Sequence, residues 1–346
     1  MKQNPFKKQE MWRFIAAIIF AVLMIFGQDK LLGEEIDNLN QESNSAAYLP
    51  VVMSPSLPSW LIYTNDYRAM ANLPPVTENA SWSHGNILHG RYGVKNDLLV
   101  HDEDPGNPYY TPEGRAAARS SNLTASSDIN ATYVYAIDSW MQAPFHALGV
   151  LDPSLHQVGY GDYQEADGVD IQMAAGLDVL RGLSSIPDTV KFPIAWPAAG
   201  KTVSLTSHWG EFPRPLSSCP GYSTPSGLPV LLQAGPGNIT PNVTAHSLTK
   251  NGKIIEHCLF DETNYANPDL AQQDLGRAIL DSRDAIVMIP RDPLLPGATY
   301  HVSITVNGES HAWFFSVSDP TSVSMHDLND AADPPGYEVG WVHRKE

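Results

Sequence analysis

Prolines and glycines recur so often along this chain that long regular elements cannot form through most of it. The 346 residues include 28 Pro and 25 Gly, and both residue types interrupt helices and strands. A coiled coil and a helical repeat array are therefore excluded. Because a chain of this length usually exceeds what one core organises, we expect two domains.

The charge balance is acidic. Asp and Glu number 38 against 21 Lys and Arg, which gives a net charge of −17 at pH 7, and the 42% hydrophobic share still allows a packed core. No Lys/Arg-rich run occurs beyond the first 13 residues. A nucleic-acid partner is therefore not expected, and cations or neutral ligands are favoured.

The N-terminus has the pattern of an export segment. Basic residues precede the uncharged apolar run FIAAIIFAVLMIFG at residues 14–27, which has the length of a signal-peptide core and is short for a membrane span. No clear cleavage site comes after it, so residues 1–27 are either a cleaved signal peptide or a retained anchor. Secretion or attachment at the cell surface is the expected location. Residues 28–56, polar and then Pro/Ser-rich, predict a disordered tether.

The spacing of apolar residues predicts a mixed first half. Helices are expected over residues 60–73, 81–96 and 131–141, because apolar residues recur there at three- and four-residue intervals. Strands at 157–163 and 169–179 predict a hairpin, and 101–122 is a long polar loop. These elements together indicate an α+β layered domain over residues 57–185.

The second half has a different texture. From residue 186 onward, helical periodicity is scarce, and short apolar runs alternate with Pro, Gly and Asn. This pattern predicts a β-sandwich over residues 186–318, followed by an acidic tail at 319–346. The runs expected to form strands are 229–233, 254–260, 285–289, 300–306 and 313–317.

Four motifs occur in a specific order in the first half. They are Asn65-Asp66-Tyr67-Arg68 with Leu73 to Val76, His89 to Tyr92 running on to His101, Ser121-Asn122-Leu123, and Trp140 to His146. This series resembles the CAP superfamily of cysteine-rich secretory, antigen-5 and pathogenesis-related proteins, in its bacterial SCP-like extracellular branch. The resemblance implies an α/β/α sandwich. More loosely, Pro290 to Val302 with Trp313-Phe314-Phe315 resembles bacterial Ig-like modules.

The resemblance also implies a cleft lined by histidine and acidic side chains. It brings together residues that are far apart in the sequence, and the family's glutamate position holds Ser121 here, so Glu103 is the candidate carboxylate. His101 and His146 are the candidate ligands for a zinc or calcium ion. The alternative is a polar cluster with a purely structural role, and His89 is expected to pack within its helix. The candidate cleft residues are His101, Glu103, His146, Ser121 and His89.

These features lead to a binding protein whose ligand is a small molecule, a lipid, an extracellular protein or a divalent cation, with the Ig-like module as spacer or adhesion module. The alternative is a metal-assisted extracellular hydrolase or peptidase with Glu103 as general base. A third hypothesis is a structural envelope protein with a vestigial cleft. Nucleophile-elbow and phosphate-loop motifs do not occur in the sequence. Membrane contact is expected only through a retained N-terminal segment.

Two cysteines, Cys219 and Cys258, both fall in the predicted second domain. In an exported chain, the favoured interpretation is one disulfide that closes a loop of about 40 residues. The alternative is a pair of free, buried thiols. Neither interpretation implies catalysis.

Overall fold

The computed structural model describes residues 57–166 and 170–319. The predicted export segment, the tether and all but the first residue of the predicted acidic tail lie outside these ranges. The described residues belong to one compact unit. In the described part of the chain, no helix is both long and apolar enough to cross a membrane.

Five helices occur in the described part of the first half, and three of them confirm the predicted helices. Side-chain caps fix where three of the five helices begin. Asn79, Thr111 and Thr132 each accept a hydrogen bond from a backbone N–H in the first turn of the next helix. The helices are α1 (Ser59–Met70), α2 (Ala80–Asn96), α3 (Pro112–Ala118), α4 (Tyr133–Met141) and α5 (Pro144–Val150).

The predicted loop over 101–122 is wrong in its second half. It contains α3 and the first residues of a strand. Thr111-Pro112 is a helix-start signal, because the Thr111 hydroxyl accepts from the Gly114 N–H and proline suits the first helical position. The polar composition of this stretch concealed that signal.

A three-stranded antiparallel sheet, in the order β2-β5-β4, lies between the helices, and it includes the predicted hairpin. On β5, Met173 and Ala175 join the core that contains Trp140 of α4, whereas Ala174 packs with Val94 of α2. Alternate residues therefore face opposite helical layers, as in an α/β/α arrangement. The strands are β1 (Thr77–Glu78), β2 (Ser121–Ser126), β3 (Gln157–Val158), β4 (Tyr160–Gln164) and β5 (Met173–Asp178), with β1 and β3 paired in parallel.

Helix α2 lies unusually close to this sheet. A Cβ atom added to Gly90 would come within 2.7 Å of the Ala174 carbonyl oxygen, and one added to Gly176 within 2.2 Å of Asn86 Oδ1. Only glycine permits this approach at both positions.

The second half forms two larger sheets, four strands in the order β13-β14-β10-β6 and five in the order β12-β11-β15-β16-β7, with a short β8-β9 pair. These sheets fit the prediction of a mainly β second half, while its Ig-like type stays a prediction. The strands are β6 (Ile194–Trp196), β7 (Thr202–Val203), β8 (Ser207–His208), β9 (Ser226–Gly227), β10 (Val230–Gln233), β11 (Val243–Lys250), β12 (Lys253–Ile254), β13 (His257–Phe260), β14 (Ala285–Pro290), β15 (Thr299–Val306) and β16 (Glu309–Val317).

One helix in the second half was not expected. Helix α6 (Leu270–Asp281) begins at Asp269, whose side chain accepts from the N–H groups of Ala271 and Gln272. Its apolar face is thin, because Leu270 and Leu275 are largely exposed while Leu280 is buried.

The two halves share one hydrophobic core. Buried residues of α4 and α5 and buried residues of β10, β14 and β15 belong to the same cluster. Arg68, fully buried, fixes the first-half side of this region, since Nη1 donates to the carbonyl oxygens of Val150 at 2.7 Å and Asp152 at 3.0 Å. Burial lowers the pKa of Arg68 to about 10. The boundary expected near residue 185 stays a prediction.

Candidate histidine site

The start of helix α5 depends on a distant carboxylate. The residue before the helix, Ala143, has no side chain that can cap it. Glu211 takes this role instead: Oε1 accepts from the Phe145 N–H at 3.0 Å, and Oε2 accepts from the His146 N–H at 3.1 Å. A negative charge at a helix N-terminus is favoured by the exposed N–H groups there.

The same carboxylate holds the imidazole of His146. His146 Nδ1 lies 2.7 Å from Glu211 Oε2, and the Glu211 side chain is 1% exposed against 17% for His146. Because a carboxylate only accepts, Nδ1 donates its proton, and in the neutral ring Nε2 carries the lone pair. His146 therefore offers a nitrogen lone pair from a ring that still reaches solvent.

The ring of His101 is hydrogen-bonded through the same nitrogen as that of His146. Its Nδ1 lies 2.9 Å from the Ala118 carbonyl oxygen at the end of α3, so Nδ1 donates and Nε2 is left with the lone pair. Removal of water from around the ring lowers the pKa of His101. The bond to Ala118 opposes this shift, while the imidazoles of His146 and His89 add to it. His101, His146 and His89 are thus electrostatic neighbours.

A fourth histidine, His208 on β8, is an electrostatic neighbour of His146 and Glu211. Its Nδ1 donates to the Gln142 carbonyl oxygen at 2.9 Å, while its buried Nε2 has no hydrogen-bond partner among the described residues. Burial lowers the pKa of His208, with Glu211 opposing the shift and His146 adding to it. His208 is therefore a neutral imidazole packed against the His146–Glu211 pair.

His89 and Glu103 form a separate, closed pair. His89 Nδ1 lies 3.0 Å from Glu103 Oε1, and the two side chains are 5% and 0% exposed. Glu103 Oε2 accepts from the Thr111 N–H at 3.0 Å. Both carboxylate oxygens of Glu103 are engaged, so the pair ties the segment before α3 to helix α2.

Ser121 lies within the packed interior of the first half. Its hydroxyl donates to Asn86 Oδ1 at 2.9 Å, and both residues are buried. Asn86 in turn donates to the Gly159 carbonyl oxygen at 2.8 Å. These bonds connect β2, α2 and the chain just before β4.

Sequence reasoning missed Glu211 and His208. Both lie in the stretch Ser207-His208-Trp209-Gly210-Glu211, in the half that was expected to contribute only a spacer. A histidine and a glutamate three residues apart in a chain segment rich in turns are a weak signal. Nothing in the spacing connects them with residue 146.

The described residues contain no group of three or more His, Cys, Asp or Glu arranged to hold a metal ion. The atoms available to a cation at this site are therefore the Nε2 atoms of His101 and His146. Calcium would need oxygen ligands. The nearby carboxylate of Asp102 is taken by Arg115 and Arg119, whose bonds hold its pKa far below the usual range.

The predicted disulfide is confirmed. Cys219 and Cys258 are bonded, with their Cα atoms 5.6 Å apart. The bridge joins the end of the 3-10 helix Pro215–Ser218 to β13. The chain that leads from Glu211 is thereby fixed to the four-stranded sheet.

Two surface clefts, of about 320 and 590 Å³, are lined by neither His101 nor His146. The smaller is on the five-stranded sheet and includes His301 and Phe314. The larger includes Asn72, Lys191 and Trp313, where the end of α1 meets the second half.

Comparison with known proteins places part of the chain in a family. Residues 61–174 match the model of the CAP family, described as the cysteine-rich secretory protein family. The crystal structure of an extracellular protein containing an SCP domain from Bacillus anthracis str. Ames is 19% identical, with a TM-score of 0.27; the match covers 34% of this chain and 38% of that one. No curated protein matches the chain.

A CAP domain thus spans residues 61–174, as the motif series implied. The match ends before His208 and Glu211. The carboxylate that holds His146 therefore comes from outside the matched region.

Proposed function

We propose that this protein is an exported CAP-domain protein that binds a divalent cation, zinc in particular, through the imidazoles of His101 and His146. Export is supported by the basic and apolar pattern of residues 1–27. The Cys219–Cys258 disulfide supports it as well, because such bonds persist in oxidising compartments.

The observation that carries this proposal is the shared hydrogen-bonding pattern of the two rings. In both, Nδ1 donates to a protein oxygen, the Ala118 carbonyl for His101 and the Glu211 carboxylate for His146. Histidines that bind metals in proteins are usually held in this way, with the second nitrogen turned toward the ion. The lowered pKa of His101 keeps that ring neutral at pH 7, the form that coordinates.

Two imidazoles leave the remaining coordination positions to water or to a ligand of the cation. Zinc suits nitrogen donors, whereas calcium and magnesium prefer oxygen. The −17 charge of the chain also favours cations over anions. A bound zinc ion with open positions would let the CAP domain hold a small anionic or carbonyl-bearing ligand.

The hydrolase alternative requires a free general base. Glu103 would have to break its bonds to His89 and to the Thr111 N–H before it could accept a proton from water. A binding role needs no such rearrangement, and we therefore prefer it. For residues 186–318 we propose an Ig-like β-sandwich, which the mainly antiparallel sheets support.

The test is a calorimetric zinc titration of the full chain and of three variants. We expect the wild type to bind zinc and His101→Ala and His146→Ala to bind at least about 10-fold more weakly, since each removes a ligand. His84→Ala is the matched control, because His84 is an exposed histidine of α2; its affinity should not change. A folded wild type that gives no zinc heat, or equal affinities for all four proteins, would overturn the proposal.

A further inference from the structure

The segment that carries His146 is held at both ends by residues of the second half. At its start, His208 Nδ1 donates to the Gln142 carbonyl oxygen at 2.9 Å. At its end, Gln233 Nε2 donates to the Leu151 carbonyl oxygen at 2.9 Å, a fully buried bond. The position of α5 thus depends in part on residues outside the CAP domain.

Charge and apolar packing strengthen the same junction. Arg283 Nη2 lies 2.7 Å from Asp152 Oδ2, and both side chains are about nine-tenths buried. The ring of Phe145, next to His146, lies 5.2 Å from that of Tyr265 and 6.3 Å from that of Phe260. An interface with a buried ion pair and an aromatic cluster is not one between a domain and a loosely attached spacer.

At the centre of this junction, one carboxylate makes three bonds. Glu211 accepts from the N–H groups of Phe145 and His146 and from His146 Nδ1. The backbone bonds fix the carboxylate relative to α5, and the third bond fixes the ring. The tautomer and the direction of the His146 imidazole therefore depend on a residue beyond the end of the CAP domain.

We propose that Glu211 is a positioning residue of the histidine site and that the second half of the chain completes this site rather than acting only as a spacer. The inference rests on the proposed zinc binding for its functional consequence. Glu211 holds His146 with the proton on Nδ1, which leaves the Nε2 lone pair free to bind an ion. Without Glu211, the ring gains a second tautomer and rotational freedom, and part of the population cannot bind.

The experiment uses the full chain with Glu211→Gln and two measurements. In the absence of metal, ¹⁵N chemical shifts of the histidine rings report the tautomer of His146. Wild type should show the Nδ1–H form alone, and the variant a mixture of both forms. Calorimetry should show a loss of zinc affinity of about 10- to 100-fold, the usual effect of removing the partner that orients a ligand.

Two further variants keep the result interpretable. Glu256→Gln removes the same charge from an exposed ion pair with Arg291 in the same half, and it should leave the tautomer and the zinc affinity unchanged. Glu211→Asp keeps the charge but shortens the reach by one methylene group. It should also give a tautomer mixture, and it replaces Glu211→Gln if that variant does not fold.

The outcomes separate the two proposals. A wild type without zinc binding removes the proposed function, whereas the tautomer comparison still decides the role of Glu211. An unchanged His146 tautomer in both Glu211 variants overturns the positioning role. Equal affinity losses in Glu211→Gln and Glu256→Gln, with no tautomer change, would reduce the effect to net charge and would overturn it as well.

Discussion

Two histidine–glutamate pairs in this protein use the same hydrogen bond in opposite settings. His89 and Glu103 lie 3.0 Å apart with side chains 5% and 0% exposed, and both belong to the CAP domain. His146 and Glu211 lie 2.7 Å apart, but His146 is 17% exposed and Glu211 comes from beyond that domain. The hydrogen bond itself therefore does not distinguish the two pairs. The two pairs differ in the exposure of the histidine ring and in the part of the chain that supplies the glutamate.

The remaining oxygen of each glutamate explains the difference. Glu103 uses it to accept from the Thr111 N–H and so fixes the segment before α3, while His89 stacks against Tyr92. Glu211 uses it to cap α5 across the junction of the two halves. The first pair organises the CAP domain internally. The second makes the CAP domain depend on the second half of the chain.

The largest effect is expected at the closed pair. Glu103→Ala should lower the free energy of unfolding by about 3–5 kcal/mol, because it leaves a buried imidazole and a part-buried N–H without their partner. Urea denaturation measures the change. Glu113→Ala, on the exposed side of α3, is the matched control and should cost less than about 1 kcal/mol. If the Glu103 and Glu113 variants lose the same small amount, the pair is not structural.

Loss of the disulfide should affect the His146–Glu211 pair more than the His89–Glu103 pair. Replacing Cys219 and Cys258 by alanine should cost about 3–4 kcal/mol, because the loop they close gains entropy in the unfolded chain. Since the bridge anchors the chain that leads from Glu211, the amides of Phe145 and His146 should exchange with deuterium faster, measured relative to global unfolding. The Thr111 amide, bonded to Glu103, serves as the internal control. Equal acceleration at Thr111 would contradict the separation of the two pairs.

A smaller effect concerns pH. The pKa of His208 is lowered from its ordinary 6.5 by burial, so below about pH 6.5 the unfolded chain binds a proton there that the folded chain does not. Stability should therefore fall as pH decreases from 6.5 toward the lowered value. His208→Asn should flatten this part of the stability curve, measured by urea denaturation at each pH. An unchanged slope would show that His208 is not responsible.

The sequence predicted the features that depend on local pattern. Helices α1, α2 and α4 and the hairpin follow from apolar spacing, and the pairing of the two cysteines follows from their number in an exported chain. Helix α6 was missed because it is one helix among the strand-like apolar runs of the second half. The CAP domain was found because its motifs keep a recognisable order.

The partners of the site residues were harder to predict for a physical reason. His89 and Glu103 are 14 residues apart, within reach of a helix and the turn after it. His146 and Glu211 are 65 residues apart and meet only when the two halves of the chain pack together. Spacing carries no information about such a contact, so Glu211 could be found only in the folded structure.

The most direct test of the account is a double-mutant cycle on the free energy of unfolding for His146→Ala and Glu211→Ala. The cycle cancels the loss of the α5 cap, because the Glu211→Ala variant and the double mutant both lack that cap. A direct pair across the junction predicts a coupling energy of about 1–3 kcal/mol. Additivity of the two changes to within about 0.3 kcal/mol would contradict the account, because it would mean that the second half does not hold the histidine of the CAP domain.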